Sequence, residues 1–309
     1  MSTFIDKIKE SIKDRSFKQK VVGKVHQMFP IYYMKNQNLV LQQNVDTAYR
    51  KLKKQYSYIS LTSEELKEEM KLSNKVWICW FQGEGSAPDL VKACIKSMRE
   101  QFPNREIVIL TDINFSDYVQ LPSYILEKYR KGWISRAHFS DILRVELLCR
   151  YGGLWVDATV LNTGGDFSIL DLPLFVYKSL ELSRKDNQAI VASSWLISAY
   201  SNHPILLLTR KFLRDYWSKR NDLSNYFLVH IFFTLATERY EKEWLAVPTY
   251  NNHSPHTLHF ELNDEFSEKR WQKLKEMSTF HKLNHHIDYS KGRNTFYQFI
   301  VSSKDRKNE

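Results

Sequence analysis

Residues 75–85, Lys75-Val76-Trp77-Ile78-Cys79-Trp80-Phe81-Gln82-Gly83-Glu84-Gly85, open a pattern that runs on to Asp112. The apolar run 76–81 is too short for a helix and is closed by a glycine-bearing loop, which predicts a buried strand. Pro88 then starts a helical pattern through Leu90, Val91, Cys94, Ile95 and Met98, which stops near Pro103. Ile107-Val108-Ile109-Leu110 is a second apolar strand, ending at Thr111-Asp112. Strand, helix and strand at this spacing form a β-α-β unit, whose strands pair in parallel through a right-handed crossover. Ligands of such sheets bind beyond the carboxyl ends of the strands, so the Trp80-Gly85 loop is expected to wall a site.

Downstream, residues 136–151 form one helix with apolar Phe139, Ile142, Leu143, Leu147 and Leu148, broken by Gly152-Gly153. Leu154 to Val160 reads as a third strand with Asp157 near its end. Further strands are expected at 174–177 and 189–197, and helices at about 203–217 and 224–240. Upstream, residues 1–72 form a charged helical region, and the main α/β domain spans 73–309.

The composition narrows the function. In a chain of 309 residues, 9 glycines and 8 prolines are too few for a many-turned all-β protein. Residues 1–55 carry twelve Lys and Arg against four Asp and Glu, a net +8 of the chain's formal +10. The basic charge is thus segregated from the aromatic strands, unlike a nucleic-acid platform, where the two interleave, and no nucleic-acid partner is expected. Neither a dinucleotide fingerprint nor a phosphate-binding P-loop follows the first strand, which sets aside dehydrogenases and kinases. Cys79, Cys94 and Cys149 lie in apolar surroundings without metal spacing and read as reduced, buried thiols. The first twenty residues lack the apolar core of a secretory signal, which predicts a cytoplasmic chain. Lys7, Lys9, Lys13, Arg15, Lys18, Lys20 and Lys24 surround Phe4, Ile5, Ile8 and Ile12, so residues 1–24 are a candidate amphipathic anchor for an anionic membrane face.

The chemistry is concentrated around the glycine pair. Asp141 and Arg144 are three apart on one helical face, and Gly152-Gly153 returns the chain into the strand of Asp157. A carboxylate, a guanidinium and a second carboxylate are thereby gathered in a small volume. A nucleotide-sugar site needs such a set, because a diphosphate leaving group demands cations and sugar hydroxyls favour carboxylate acceptors. Trp77, Trp80 and Trp155 are candidate aromatic walls for the base; Trp77 and Trp80 fall on opposite strand faces, and Trp80, nearer the loop, is the better of that pair. On a helix surface alone, Asp141 and Arg144 would read as an ordinary ion pair. Asp157 at the end of an apolar strand is harder to explain structurally, since a buried unpaired carboxylate is costly.

Ser140-Asp141-Ile-Leu-Arg144 followed by Tyr151-Gly152-Gly153-Leu-Trp155-Val-Asp157-Ala-Thr159 resembles the signature of a glycosyltransferase group that includes the bacterial capsular polysaccharide synthesis proteins. The catalytic domains of large clostridial glucosylating toxins share the pattern. Trp77-Ile-Cys-Trp80-Phe-Gln82-Gly83 and Asn202-His203-Pro204 are similar to the capsular group too, so the resemblance covers roughly residues 75–290. It implies a GT-A-like nucleotide-sugar-binding fold with a mainly parallel central sheet, and a sugar transferred from a nucleotide donor, UDP-linked by preference, to an oligosaccharide or lipid-linked glycan at the inner membrane face. It also implies donor-sugar contacts from Asp141 and Arg144, with Trp80, Gln82, Gly83, Ser140 and Trp155 around the nucleotide. Asp157 is the first acid of a D-x-D motif and a ligand for Mn2+ or Mg2+. The second acid is replaced by Thr159, which weakens the metal expectation. His281 and Lys282 fall in a late segment that meets the diphosphate in similar enzymes. A non-catalytic glycan or nucleotide-sugar binding protein of the same fold is the competing reading.

Overall fold

A computed structural model describes residues 30–179, 188–289 and 292–302, with side chains from residue 40 onward. The basic anchor expected at residues 1–24 lies outside the described residues. Packing divides the chain into two units, 1–48 and 49–309. Residues 49–72 contribute to the core of the larger unit. Tyr49, Leu52, Tyr56 and Ile59 are buried, and the Tyr56 ring meets Phe212 and Phe232 edge-on at 5.8 and 4.9 Å. Helix α1 (Pro30–Gln55) carries the first two of these. The short α2 (Ser63–Lys67) is closed by a capping box between Thr62 and Glu65.

The larger unit is built on a five-stranded sheet of order β2-β1-β3-β6-β5. Its strands are β1 (Lys75–Cys79), β2 (Glu106–Leu110), β3 (Gly153–Asp157), β5 (Leu174–Lys178) and β6 (Ala192–Ala199), while β4 (Val160–Asn162) stands outside it. β1 pairs in parallel with β2 and β3, and β6 lies antiparallel between β3 and β5. Four of the five strands therefore run one way, and the α/β class with a mainly parallel sheet is as expected. β1 is central, which is why Val76, Trp77 and Ile78 are all apolar and all buried. Trp77, wholly buried, donates its indole N–H to Gly152 O at 3.0 Å.

Helix α3 (Asp89–Gln101) makes the β1-to-β2 crossover, burying Leu90, Val91, Cys94, Ile95 and Met98 on one stripe. Two short helices, α4 (Phe115–Tyr118) and α5 (Ser123–Arg130), lead to α6 (Arg136–Tyr151), whose span is the one expected. Ser135 caps α6 by accepting the His138 amide N–H. α6 is buried on most of its circumference, including Glu146, whose carboxylate receives both forks of Arg214 at 2.7 and 2.6 Å. That pair ties α6 to α7 (Pro204–Lys219).

Gly152 caps α6 at φ 69° and Gly153 enters β3 at φ 95°. A Cβ on Gly152 would stand 2.6 Å from Ser201 N and 2.8 Å from Ala199 O. Only glycine meets both the torsions and the closeness of the neighbouring backbone. Asn202-His203-Pro204 proves to be scaffold. The Asn202 amide N–H donates to Cys149 O, His203 is buried, and Pro204 occupies the first turn of α7.

β3 stops at Asp157 instead of continuing to Val160, because Ala158-Thr159 turn the chain into β4. After α8 (Leu228–Arg239), α9 (Glu241–Leu245), α10 (Thr257–Glu261) and α11 (Glu268–Met277), β7 (Phe280–Lys282) pairs antiparallel with β4. Val160 faces Lys282 in that register, and Leu283 donates its amide N–H to Thr159 O at 2.9 Å. A C-terminal segment is thereby stitched beside the end of β3.

Candidate active site

Cys79 of β1 and Asp157 of β3 are register partners, so both strands end at the same carboxyl edge. A cleft of about 500 Å³ opens there, with Trp80, Ser140, Asp141, Arg144, Trp155, Asp157, Thr159 and Lys282 on its walls. Eight of the residues expected at the site are thus brought together from four segments.

Arg144 organises the floor. Its Nη2 donates to Asp157 Oδ1 at 3.0 Å, its Nη1 lies 3.1 Å from Asp141 Oδ1, and its guanidinium sits 4.9 Å over the Trp155 ring. Trp155 also donates its indole N–H to Asp157 Oδ1 at 3.2 Å. Being wholly buried, Trp155 supports Arg144 and Asp157 from beneath instead of offering an open face to a base. Trp217 donates to His138 Nε2 at 3.0 Å, which leaves the His138 proton on Nδ1, facing Asp141 Oδ2 at 3.6 Å. Burial alone would raise the Asp141 pKa, but Arg144 and His138 outweigh it and hold the carboxyl below its ordinary value. Asp141 is an anion at neutral pH.

Several buried donors point to a ligand rich in oxygen. Arg144 Nε and Nη1 and the Trp80 indole N–H have no aligned acceptor among the described residues, and the same holds for Nδ1 of His230 and His259. Unpaired polar atoms in a protein interior cost free energy, and their convergence on one cleft is the mark of a binding site. His230, His256, His259, His285 and His286 line its other side. Burial lowers the pKa of His230, His256, His259 and His285, so these rings are neutral at pH 7. Nothing in the residue spacing marks His230, His256 or His259, because they lie on α8, in the turn before α10 and on α10, and meet only through the fold. His285 packs edge-on against Trp80 at 5.2 Å.

Three expected site residues lie elsewhere. His281 alternates with Phe280 and Lys282 along β7 and so faces the interior, wholly buried with Nε2 3.4 Å from Thr163 Oγ1. Gln82 and Gly83 leave the cleft as the chain turns into a short 3₁₀ segment, where the Ser86 hydroxyl lies within hydrogen-bonding distance of both their carbonyls. The neighbours that do reach the cleft are Trp80 on one side and Asn284-His285-His286 on the other.

The donor set does not suit a protein-held divalent cation. Asp157 Oδ1 already accepts two N–H groups, and its Oδ2 lies 3.5 Å from Lys282 Nζ. Lys282 Nζ donates to Thr159 Oγ1 at 2.6 Å, so a hydroxyl and an ammonium stand where the second acid of a D-x-D motif would be. An ammonium has no lone pair to offer a metal. Charges of +2 and +1 about 4 Å apart repel by roughly 8 kcal/mol at an effective dielectric near 20. Among the described residues, no group of three or more His, Cys, Asp or Glu is arranged to hold an ion.

The sequence profile of the family described as capsular polysaccharide synthesis protein matches residues 28–300. The chain belongs to that family. The match spans the helix-to-Asp157 block, the β4–β7 junction and every wall of the cleft. No curated protein matches at a significant level. Among solved structures, the PaToxG glycosyltransferase is similar at 17% identity and a TM-score of 0.37, over 66% of this chain and 83% of that one. Family membership accords with the mainly parallel α/β architecture described above.

Proposed function

We propose that this capsular polysaccharide synthesis family member is a glycosyltransferase that moves a sugar from a nucleotide-sugar donor to a glycan acceptor. The observation that carries the reading is the Asp141-Arg144-Asp157 constellation at the carboxyl edge of the sheet, beside buried polar atoms, among them Arg144 Nε and the Trp80 indole N–H, that make no aligned hydrogen bond among the described residues. Asp141 and Asp157 are anionic acceptors for sugar hydroxyls. Arg144, held rigid over Trp155, and the Trp80 indole N–H suit the oxygens of the donor sugar and its phosphates. Ser140, in contact with the Cys79 thiol, stands beside the nucleotide.

A UDP-linked donor and an oligosaccharide or lipid-linked glycan acceptor agree with the family's link to capsule synthesis. Among the described residues no helix is long and apolar enough to cross a membrane. The basic composition of residues 1–24 supports a peripheral place on an anionic membrane at the cytoplasmic face.

Ligand-induced stabilisation tests the donor class. At one hundred times its Kd a ligand stabilises the folded state by about 2.7 kcal/mol, which raises the melting temperature of a chain this size by about 5 °C. At least one of a set of UDP-, GDP- and CMP-sugars is expected to give such a shift. A shift with free glycans and none with any nucleotide sugar would favour the non-catalytic glycan-binding reading.

A further inference from the structure

The contact between Lys282 and Thr159 carries more than a donor-site role for either. In a D-x-D site the second acid exists to hold a cation that neutralises the departing diphosphate. Here the residue in that position is a threonine, and its hydroxyl accepts from an ammonium already in place at 2.6 Å. The same ammonium lies 3.5 Å from Asp157 Oδ2, the first acid of the motif. Its location is not a matter of a free side chain reaching in. β7 is fixed to β4 in register, Val160 against Lys282, and the Leu283 amide N–H is bonded to Thr159 O. The Lys282 side chain is three-quarters buried, and its partners are the two motif residues and the Leu283 carbonyl.

We infer that Lys282 takes the place of the divalent cation, so that this enzyme transfers its sugar without a metal, with the Thr159 hydroxyl serving to aim the ammonium at the leaving diphosphate. The inference rests on the glycosyltransferase reading and deepens it. In the transfer, the bond between the anomeric carbon and the β-phosphate oxygen breaks, and its electron pair stays on that oxygen. The acceptor hydroxyl oxygen, or water in donor hydrolysis, forms the new bond to the anomeric carbon and gives up its proton to solvent. The products are the glycoside and a nucleoside diphosphate with one more negative charge. Lys282 moves no proton. Arg144 supplies the second fixed positive charge at the same edge. His285, whose pKa burial lowers, lines the cleft from the loop that follows Lys282 and adds a ring nitrogen without adding charge.

The experiment is nucleoside diphosphate release from a UDP-sugar by the full-length protein, stripped of metal with EDTA and assayed with and without added Mn2+. Wild type is expected to keep its rate within about twofold in EDTA. Lys282→Ala should lose about 100-fold, the range seen when one fixed donor to a developing anion is removed. Lys282→Arg, which keeps the charge, should stay within about tenfold of wild type. The double variant Lys282→Ala with Thr159→Asp restores a two-acid motif without the ammonium, and should become dependent on Mn2+. A structural role for Lys282 would lower the melting temperature of the alanine variant, and would not create that dependence. Wild-type activity that disappears in EDTA and returns with Mn2+ overturns the inference and leaves the glycosyltransferase reading standing. A Lys282→Ala variant as active as wild type in EDTA overturns it as well. Failure to release UDP, GDP or CMP from any of the corresponding nucleotide sugars, with or without Mn2+, overturns the reading and the inference together.

Discussion

Asp157 presents two oxygens, and three nitrogens converge on them, from Arg144, Trp155 and Lys282. Such a carboxylate is aimed by its partners before any substrate arrives, which is what preorganisation requires. Elsewhere the same low-polarity surroundings act on stability. Burial pulls the rings of His203 and His281 from an ordinary 6.5 down to about 4. The unfolded chain takes up protons at these rings near pH 6.5 while the folded chain does not, so stability is lost as pH falls from about 6.5 to 4. The loss amounts to roughly 2 kcal/mol per ring by about pH 5. Urea unfolding is expected to show a clear drop between about pH 7.5 and 5, and a smaller drop in His281→Gln. Identical pH slopes in the two proteins would show that this ring does not titrate as its burial dictates.

At the scale of elements, the turn from α6 into β3 sets the spacing of the whole constellation. Gly153→Ala imposes a Cβ at φ 95° against the Lys75 carbonyl oxygen. The left-handed torsion costs about 1–2 kcal/mol and the overlap a further 1–3. Denaturant unfolding should therefore find a loss of about 2–4 kcal/mol, and a loss below about 0.5 would show that the turn relaxes freely. This turn, the β-α-β unit before it and the helix carrying Asp141 and Arg144 were legible in the residues because local rules fix them: helical period, glycine breaks and apolar runs. The ends of elements were less so. β3 ends three residues before the apolar run does, since the chain turns at Ala158-Thr159, where the Thr159 carbonyl accepts from Leu283 and β4 pairs with β7, more than a hundred residues away. The same distance hid the site roles of His230, His256 and His259. His281 was misplaced because a three-residue strand has a definite inside and outside only once its partner is known.

At the scale of the molecule, a basic leader precedes a nearly balanced catalytic unit whose positive groups are used internally, on Asp141, Asp157, Thr159 and Glu146. The family profile spans that unit from residue 28 to 300, so the constellation at the sheet edge belongs to the part of the chain that defines the family. On the proposed function, this edge is the reacting centre of a sugar transferase and not a structural ion-pair network. Asp157→Asn separates the two, because an amide of the same shape keeps the packing and removes the charge. The measurement is the initial rate of nucleotide release (UDP, GDP or CMP) from the best-bound nucleotide sugar, for wild type and Asp157→Asn, with melting curves on both. The prediction is a fall of about 100-fold or more with the melting temperature within a few degrees of wild type. A variant that is well folded and nearly as active as wild type would contradict the assignment of Asp157 to the reacting centre.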